Sequence, residues 1–246
     1  MNEDEQLKKR FLELADKSYK RDICLFTNFL SLNEFDLFLQ MEHELSYAKT
    51  DSFGGASYCE RRIVRFGSLN APYPIHCVHI SPLQKKFADE LSHRDFLGAL
   101  MNLGVKRETL GDIIVTGKEA YVFCISSMSE YIIENLHTIK HTSVKCALSD
   151  DIPETSFYNL QERILNLPSP RLDAVISEVY HMSRNQSQLV MREKKVFVNG
   201  RLNENNSYLV KSDDIITVRG MGKFIFDECL GITKKGRERA KVRVFI

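Results

Sequence analysis

The side chains of this 246-residue sequence most able to do chemistry are cations. Residues 192–202, REKKVFVNGRL, set Arg192, Lys194 and Lys195 around a Val-Phe-Val run that closes on Asn199-Gly200. Upstream, Arg171 and Arg184 each stand where a helix is expected to begin. Free backbone N–H groups at a helix start accept phosphate well. Arginines and lysines gathered on one edge, beside a turn that lets backbone approach backbone, suit structured RNA. Such a surface reads shape and phosphate rather than unstacked bases. The alternative is a solvated charged face with no partner.

Other reactive residue types give no constellation. Six cysteines (24, 59, 77, 124, 146 and 229) are scattered singly with no C-x-x-C, so free thiols in a reducing compartment are expected. Cys77 and His79 share a strand face, and His137 and His141 are four apart, but neither pair has visible metal partners, so packing is the expectation. His93-Arg94-Asp95 resembles the start of a kinase catalytic loop, yet position 100 is Leu where that loop needs Asn. Phe53-Gly-Gly-Ala-Ser reads as a hairpin turn rather than a phosphate loop. No catalytic residue, no metal and no cofactor are expected.

Net charge is only +1, but it is unevenly spread. Residues 171–246 hold 15 Lys+Arg against 9 Asp+Glu, and the preceding 170 hold 19 against 24. A basic C-terminal part following an acidic remainder points to a polyanionic partner. Hydrophobic content of 43% is that of a folded chain. No stretch approaches 18 apolar residues, so no membrane span is expected. The charged start MNEDEQLKKRF lacks the apolar core of a signal peptide, and a cytoplasmic location is expected.

The elements that must position these residues read as an α+β chain of three parts. Residues 1–74 form an N-terminal α/β region. Leu7, Phe11, Leu14 and Ala15 stripe a first helix, and Ser31 with Glu34 makes a capping box for a second. Residues 75–166 give the order β-α-β-β-α-β, a ferredoxin-like unit shared with RNA-recognition modules. Its Tyr121 and Phe123 lack the basic-glycine-aromatic run of an RNA-recognition motif and are expected in the core. "NLQERILNLPSPRLD" reads as a bridge to the third part, 167–246. There, two helices carry Leu172, Val175, Ile176 and Val179 inward and a cap at Ser183. Short strands KVFVNG and DIITVRG complete the module.

The order Arg-Leu-Asp (171–173), Ser183-Arg184, Arg192, Lys194-Lys195, Val-Asn-Gly (198–200) and Asp214-Ile-Ile-Thr-Val resembles the alpha-L RNA-binding motif of small-subunit ribosomal protein four. Two positions depart from it: Gln188, where Ala is frequent, and Asp213, where Gly is frequent. The basic edge and the resemblance together name an RNA-binding set of Arg171, Arg184, Gln188, Arg192, Lys194, Lys195, Asn199, Arg201 and Arg219. A second RNA patch is expected from Arg94, Lys106 and Arg107, with an internal ion pair as its alternative.

Residues 92–115, TSVK (142–145), RLDAVI and TVRGMGKF (217–224) are together similar to the YlmH family. The resemblance implies a protein that associates with the large ribosomal subunit in rescue of stalled nascent chains. Its partners would be ribosomal RNA, tRNA or both, and it would be a monomer off the ribosome. Two rivals stand beside that reading. One is an RNA-modifying enzyme like pseudouridine synthases, which often carry this motif; its catalytic aspartate would lie in a segment like His-Arg-Leu-Asp. The only Arg-Leu-Asp here ends at Asp173, inside the binding motif. The other is a cell-division scaffold, from the family's genomic neighbourhood.

Overall fold

The Leu7–Ala15 stripe lies on α1 (Glu3–Arg21), which buries Phe11, Leu14 and Ala15. The computed structural model describes residues 3–56, 59–67, 71–151, 160–233 and 236–245. It divides into two units, Met1–Phe157 and Tyr158–Ile246. In the first, α1 is followed by β1 (Leu25–Phe26), α2 (Leu32–Leu45), β2 (Thr50–Phe53) and β3 (Ile63–Phe66). The Glu34 carboxylate accepts the Ser31 N–H at 2.6 Å, closing the expected capping box of α2. Phe38 packs edge-on against Phe11 and Phe66, joining both helices to the sheet β1-β3-β2.

The same unit continues with β4 (Ile75–Pro82), α3 (His93–Asn102), β5 (Leu110–Thr116), β6 (Glu119–Ile125), α4 (Ser126–Asn135), β7 (Thr138–Ile139) and β8 (Thr142–Leu148). Their sheet runs β5-β6-β4-β8-β7, all antiparallel. This contains the expected β-α-β-β-α-β succession, with the two-residue β7 added at one edge. One face packs Val78, Ile80 and Val122 against Phe96, Leu100 and Ile132 of the two helices.

The opposite face is where the expected boundary at 74/75 fails to separate two bodies. Cys77, Ile114 and Phe123 are buried there under Phe29, Cys59 and Ile63 from the N-terminal region. Arg61 stitches the same seam, donating Nε to the Leu110 carbonyl at 2.8 Å and Nη2 to that of Phe29 at 3.0 Å. Gly111 permits the approach: a Cβ there would lie 2.7 Å from the Phe29 ring and 2.9 Å from Phe123. Phe123 is therefore a core residue, as its sequence context suggested.

The second unit opens with β9 (Leu160–Leu167), then α5 (Leu172–Val179), α6 (Arg184–Arg192), β10 (Val196–Val198), β11 (Arg201–Leu202), β12 (Asp214–Val218), β13 (Gly222–Ile232) and β14 (Glu238–Phe245). The sheet order is β11-β10-β12-β13-β14-β9. Residues 160–167 are thus an edge strand paired along its length with β14, not a bridge, and a boundary at 166/167 would cut through it. Leu165 and Leu167 face the core, where they join Leu172, Val175, Ile176, Val179, Phe224 and Phe226. The intervening Gln161-Glu162-Arg163 hides this strand from a hydropathy reading.

Candidate nucleic-acid interface

Two helix starts and one buried carboxylate organise the first group of cations. Arg171 is the N-cap of α5, with extended backbone (φ −72°, ψ 141°), and Arg184 is the first residue of α6. Ser183 caps α6 reciprocally: its N–H donates to Gln186 Oε1 at 2.8 Å, and its Oγ accepts the Gln186 N–H at 3.3 Å. Between these starts lies Asp173, fully buried in the apolar run Leu-Asp-Ala-Val-Ile. Its carboxylate accepts Arg171 Nε at 3.2 Å and Nη2 at 3.4 Å, and Gln188 Nε2 at 3.2 Å. Arg184 Nη2 stands 3.7 Å from Oδ1, an ion-pair distance rather than a hydrogen bond. Ser187 Oγ donates to the Asp173 carbonyl at 2.9 Å, tying α6 to α5 at the same point. A buried charge is tolerable only when paired, and here the pairing gathers two guanidiniums. Their side chains remain 36% and 50% exposed, so the cations face water while their anchor does not.

A cation in the first turn of a helix opposes the helix dipole, which points to an external anion. Asp173 is an internal anion that already answers part of the Arg184 charge.

The second group surrounds the start of β10. Arg219 N–H donates to the Lys195 carbonyl at 2.9 Å, and its guanidinium lies 4.2 Å from the Phe197 ring centroid. Lys195 pairs with Glu193 at 2.6 Å and Lys194 with Glu204 at 3.9 Å, both on the surface, where such pairs hold weakly. Arg192 is exposed at the last turn of α6, roughly 12 Å along the axis from Arg184. Arg192, Lys194 and Lys195 therefore form a cluster at the far end of α6 instead of extending the Arg171–Arg184 edge.

Asn199 serves the fold. With Gly200 it makes the two-residue turn from β10 to β11, both at positive φ (48° and 77°). Its Nδ2 donates to Asp214 Oδ1 at 2.9 Å, and its Oδ1 accepts the Ile215 N–H at 2.9 Å. Both ends of the amide are engaged inside the unit, so the expected RNA contact by this side chain has no geometric support. Asp214 is the partner that sequence reasoning passed over: it is buried and also accepts Tyr208 Oη at 3.0 Å and the Lys211 N–H at 2.8 Å. Arg201 stands in β11 opposite Val198, partly buried.

The expected second patch is not assembled as three outward cations. Arg107 turns inward, its Nη1 donating to the carbonyls of Leu110 (3.0 Å) and Gly111 (3.2 Å), and burial lowers its pKa. Arg94 and Lys106 are exposed. His79 shares a hydrogen bond with Glu119 (2.8 Å) and stacks on Tyr121 with ring centroids 4.6 Å apart, and Cys77 is buried, so both members of the Cys77–His79 pair are engaged in packing.

Residues 70–151 match the family model described as "Putative RNA-binding domain in YlmH". A protein of Bacillus subtilis (strain 168) named "Ribosome-associated protein quality control protein P2" is 31% identical over 161 residues, 63% of this chain and 62% of that protein. A solved structure, "Cell division protein ylmH from Streptococcus pneumoniae", matches 61% of this chain and 92% of its own, with 16% identity and a TM-score of 0.49. The match to the Bacillus relative spans less than two thirds of that relative's length. The YlmH model ends at residue 151, so the Asp173-centred cations lie outside it. Among the described residues, no helix is long and apolar enough to cross a membrane.

Proposed function

We propose that this protein is a non-enzymatic RNA-binding factor that acts on the ribosome in quality control of stalled translation. It docks its C-terminal unit on folded RNA, either large-subunit ribosomal RNA or ribosome-bound tRNA. The carrying observation is the pair of half-exposed arginines, Arg171 and Arg184, held on one buried carboxylate. Lys195 and Arg219 supply a second cationic group at the other end of α6. Guanidiniums fixed in place suit phosphate recognition, because their planar fork is already oriented. The RNA-binding description of the family model and the name of the Bacillus relative support the ribosomal setting. The protein works in the cytoplasm as a monomer when off the ribosome, and needs no cofactor. The ferredoxin-like part of the first unit adds position: its sheet face is filled by Phe29 and Ile63, which leaves little of it for base stacking.

The test is affinity for ribosomal RNA and tRNA as a function of salt. Six phosphate contacts would lose on the order of a thousandfold between about 50 and 200 mM salt. Residues 158–246 are expected to keep most of that affinity and its salt slope, and residues 1–157 little. Equal affinity of the two, or a flat salt dependence, overturns the reading.

A further inference from the structure

We infer that Asp173 is a positioning residue for RNA binding, one that raises affinity although its own charge repels phosphate. The inference rests on the RNA-binding reading of the same surface. A carboxylate is the wrong sign to place beside a polyanion, and a fully buried one in an apolar helix turn is costly in its own right. What it does hold is specific. Arg171 presents Nε and Nη2 to it, which leaves Nη1 directed elsewhere; Arg184 presents only Nη2. Each guanidinium carries five N–H donors. Anchoring one edge of the fork therefore leaves donors on the other edge for an outside acceptor. Gln188 and the Ser187 hydroxyl fix Asp173 from α6, so the carboxylate cannot follow the arginines if they swing. Two long, rotamer-rich side chains are thereby ordered before RNA arrives, and that ordering no longer opposes binding.

The inference separates cleanly from plain electrostatics. Asp173→Asn adds one unit of positive charge to an already basic surface. Counterion release alone then predicts equal or tighter RNA binding. Positioning predicts weaker binding.

The experiment uses the full chain and purified ribosomal RNA, with thermal melting recorded for every variant. Asp173→Asn is expected to weaken binding about tenfold, the low end of what one charge-assisted contact contributes. In a background carrying Arg171→Ala and Arg184→Ala, the same change is expected to alter affinity less than about twofold, since the residues it acts through are gone. Asp173→Glu, which keeps the charge and moves it outward by one methylene, is expected to behave likewise and carries the cycle if Asp173→Asn does not fold. Equal or tighter binding by Asp173→Asn overturns the inference and leaves the RNA-binding reading standing. So does a loss of the same size without the arginines. If neither variant folds, Asp173 is a stability residue and the inference falls. If the parent chain binds no RNA, the functional reading fails and takes this inference with it.

Discussion

Arg184 carries the sharpest expectation at the scale of single residues. Its ion pair is 3.7 Å long and half-exposed, which is worth under about 1 kcal/mol. Asp173 keeps Arg171 and Gln188 without it. Arg184→Ala is therefore expected to melt within a few degrees of the parent while losing about tenfold or more in ribosome co-sedimentation. Arg184→Lys should recover part of the loss, because a point charge replaces a fork. A variant that melts far lower yet sediments normally would make Arg184 structural. The thiols give a second expectation. Burial pushes Cys59, Cys77 and Cys124 up to about 12 from the ordinary 9.0. At pH 8 an alkylating reagent should reach the exposed Cys229 well before these three, which mass analysis of the time course would show. The linkage has a definite sign. The unfolded chain ionises its thiols near pH 9 while the folded chain keeps them neutral, so their contribution is full below pH 9 and lost between 9 and about 12. At this scale the sequence showed which residues were cationic but not what held them. Asp173 sat in plain view within Arg-Leu-Asp, and its role depends on Gln188, fifteen residues away in a second helix.

Among the elements, legibility followed locality. α5 and α6 announced themselves by an apolar stripe and a serine cap, both properties of consecutive residues. So did the strands of the β-α-β-β-α-β succession. β9 did not, because its identity as a strand comes from pairing with β14, more than seventy residues on. The bend of Arg107 into the Leu110 and Gly111 carbonyls was equally hidden, since it answers the seam with the N-terminal region. β9 also sets an experimental expectation. A fragment of 158–246 should unfold cooperatively, whereas one beginning at 168 lacks Leu165 and Leu167 and exposes the edge of β14. Losing two buried leucines is worth roughly 4 kcal/mol or more in a unit of this size. Circular dichroism melts of both fragments would check this; equal melting temperatures would make β9 dispensable.

For the whole molecule, the charge pattern coincides with the architecture. Residues 158–246 contain 16 Lys+Arg against 10 Asp+Glu, and residues 1–157 contain 18 against 23. The +6 and −5 units are thus separate bodies of the chain, not patches on one. The basic one is the smaller, and its sheet has an order with a further consequence. β14 lies between β13 and β9, so among the described strands β9 gains its hydrogen-bonding neighbour only when residues 238–245 exist. During synthesis β9 leaves the ribosome first and must wait, unpaired, for the strand that closes the sheet. Until then its backbone is an open edge beside Leu165 and Leu167, the kind of surface that invites wrong partners. Translation halted anywhere between residues 168 and 238 would leave the second unit incomplete, its first strand displayed and its helices without a finished floor.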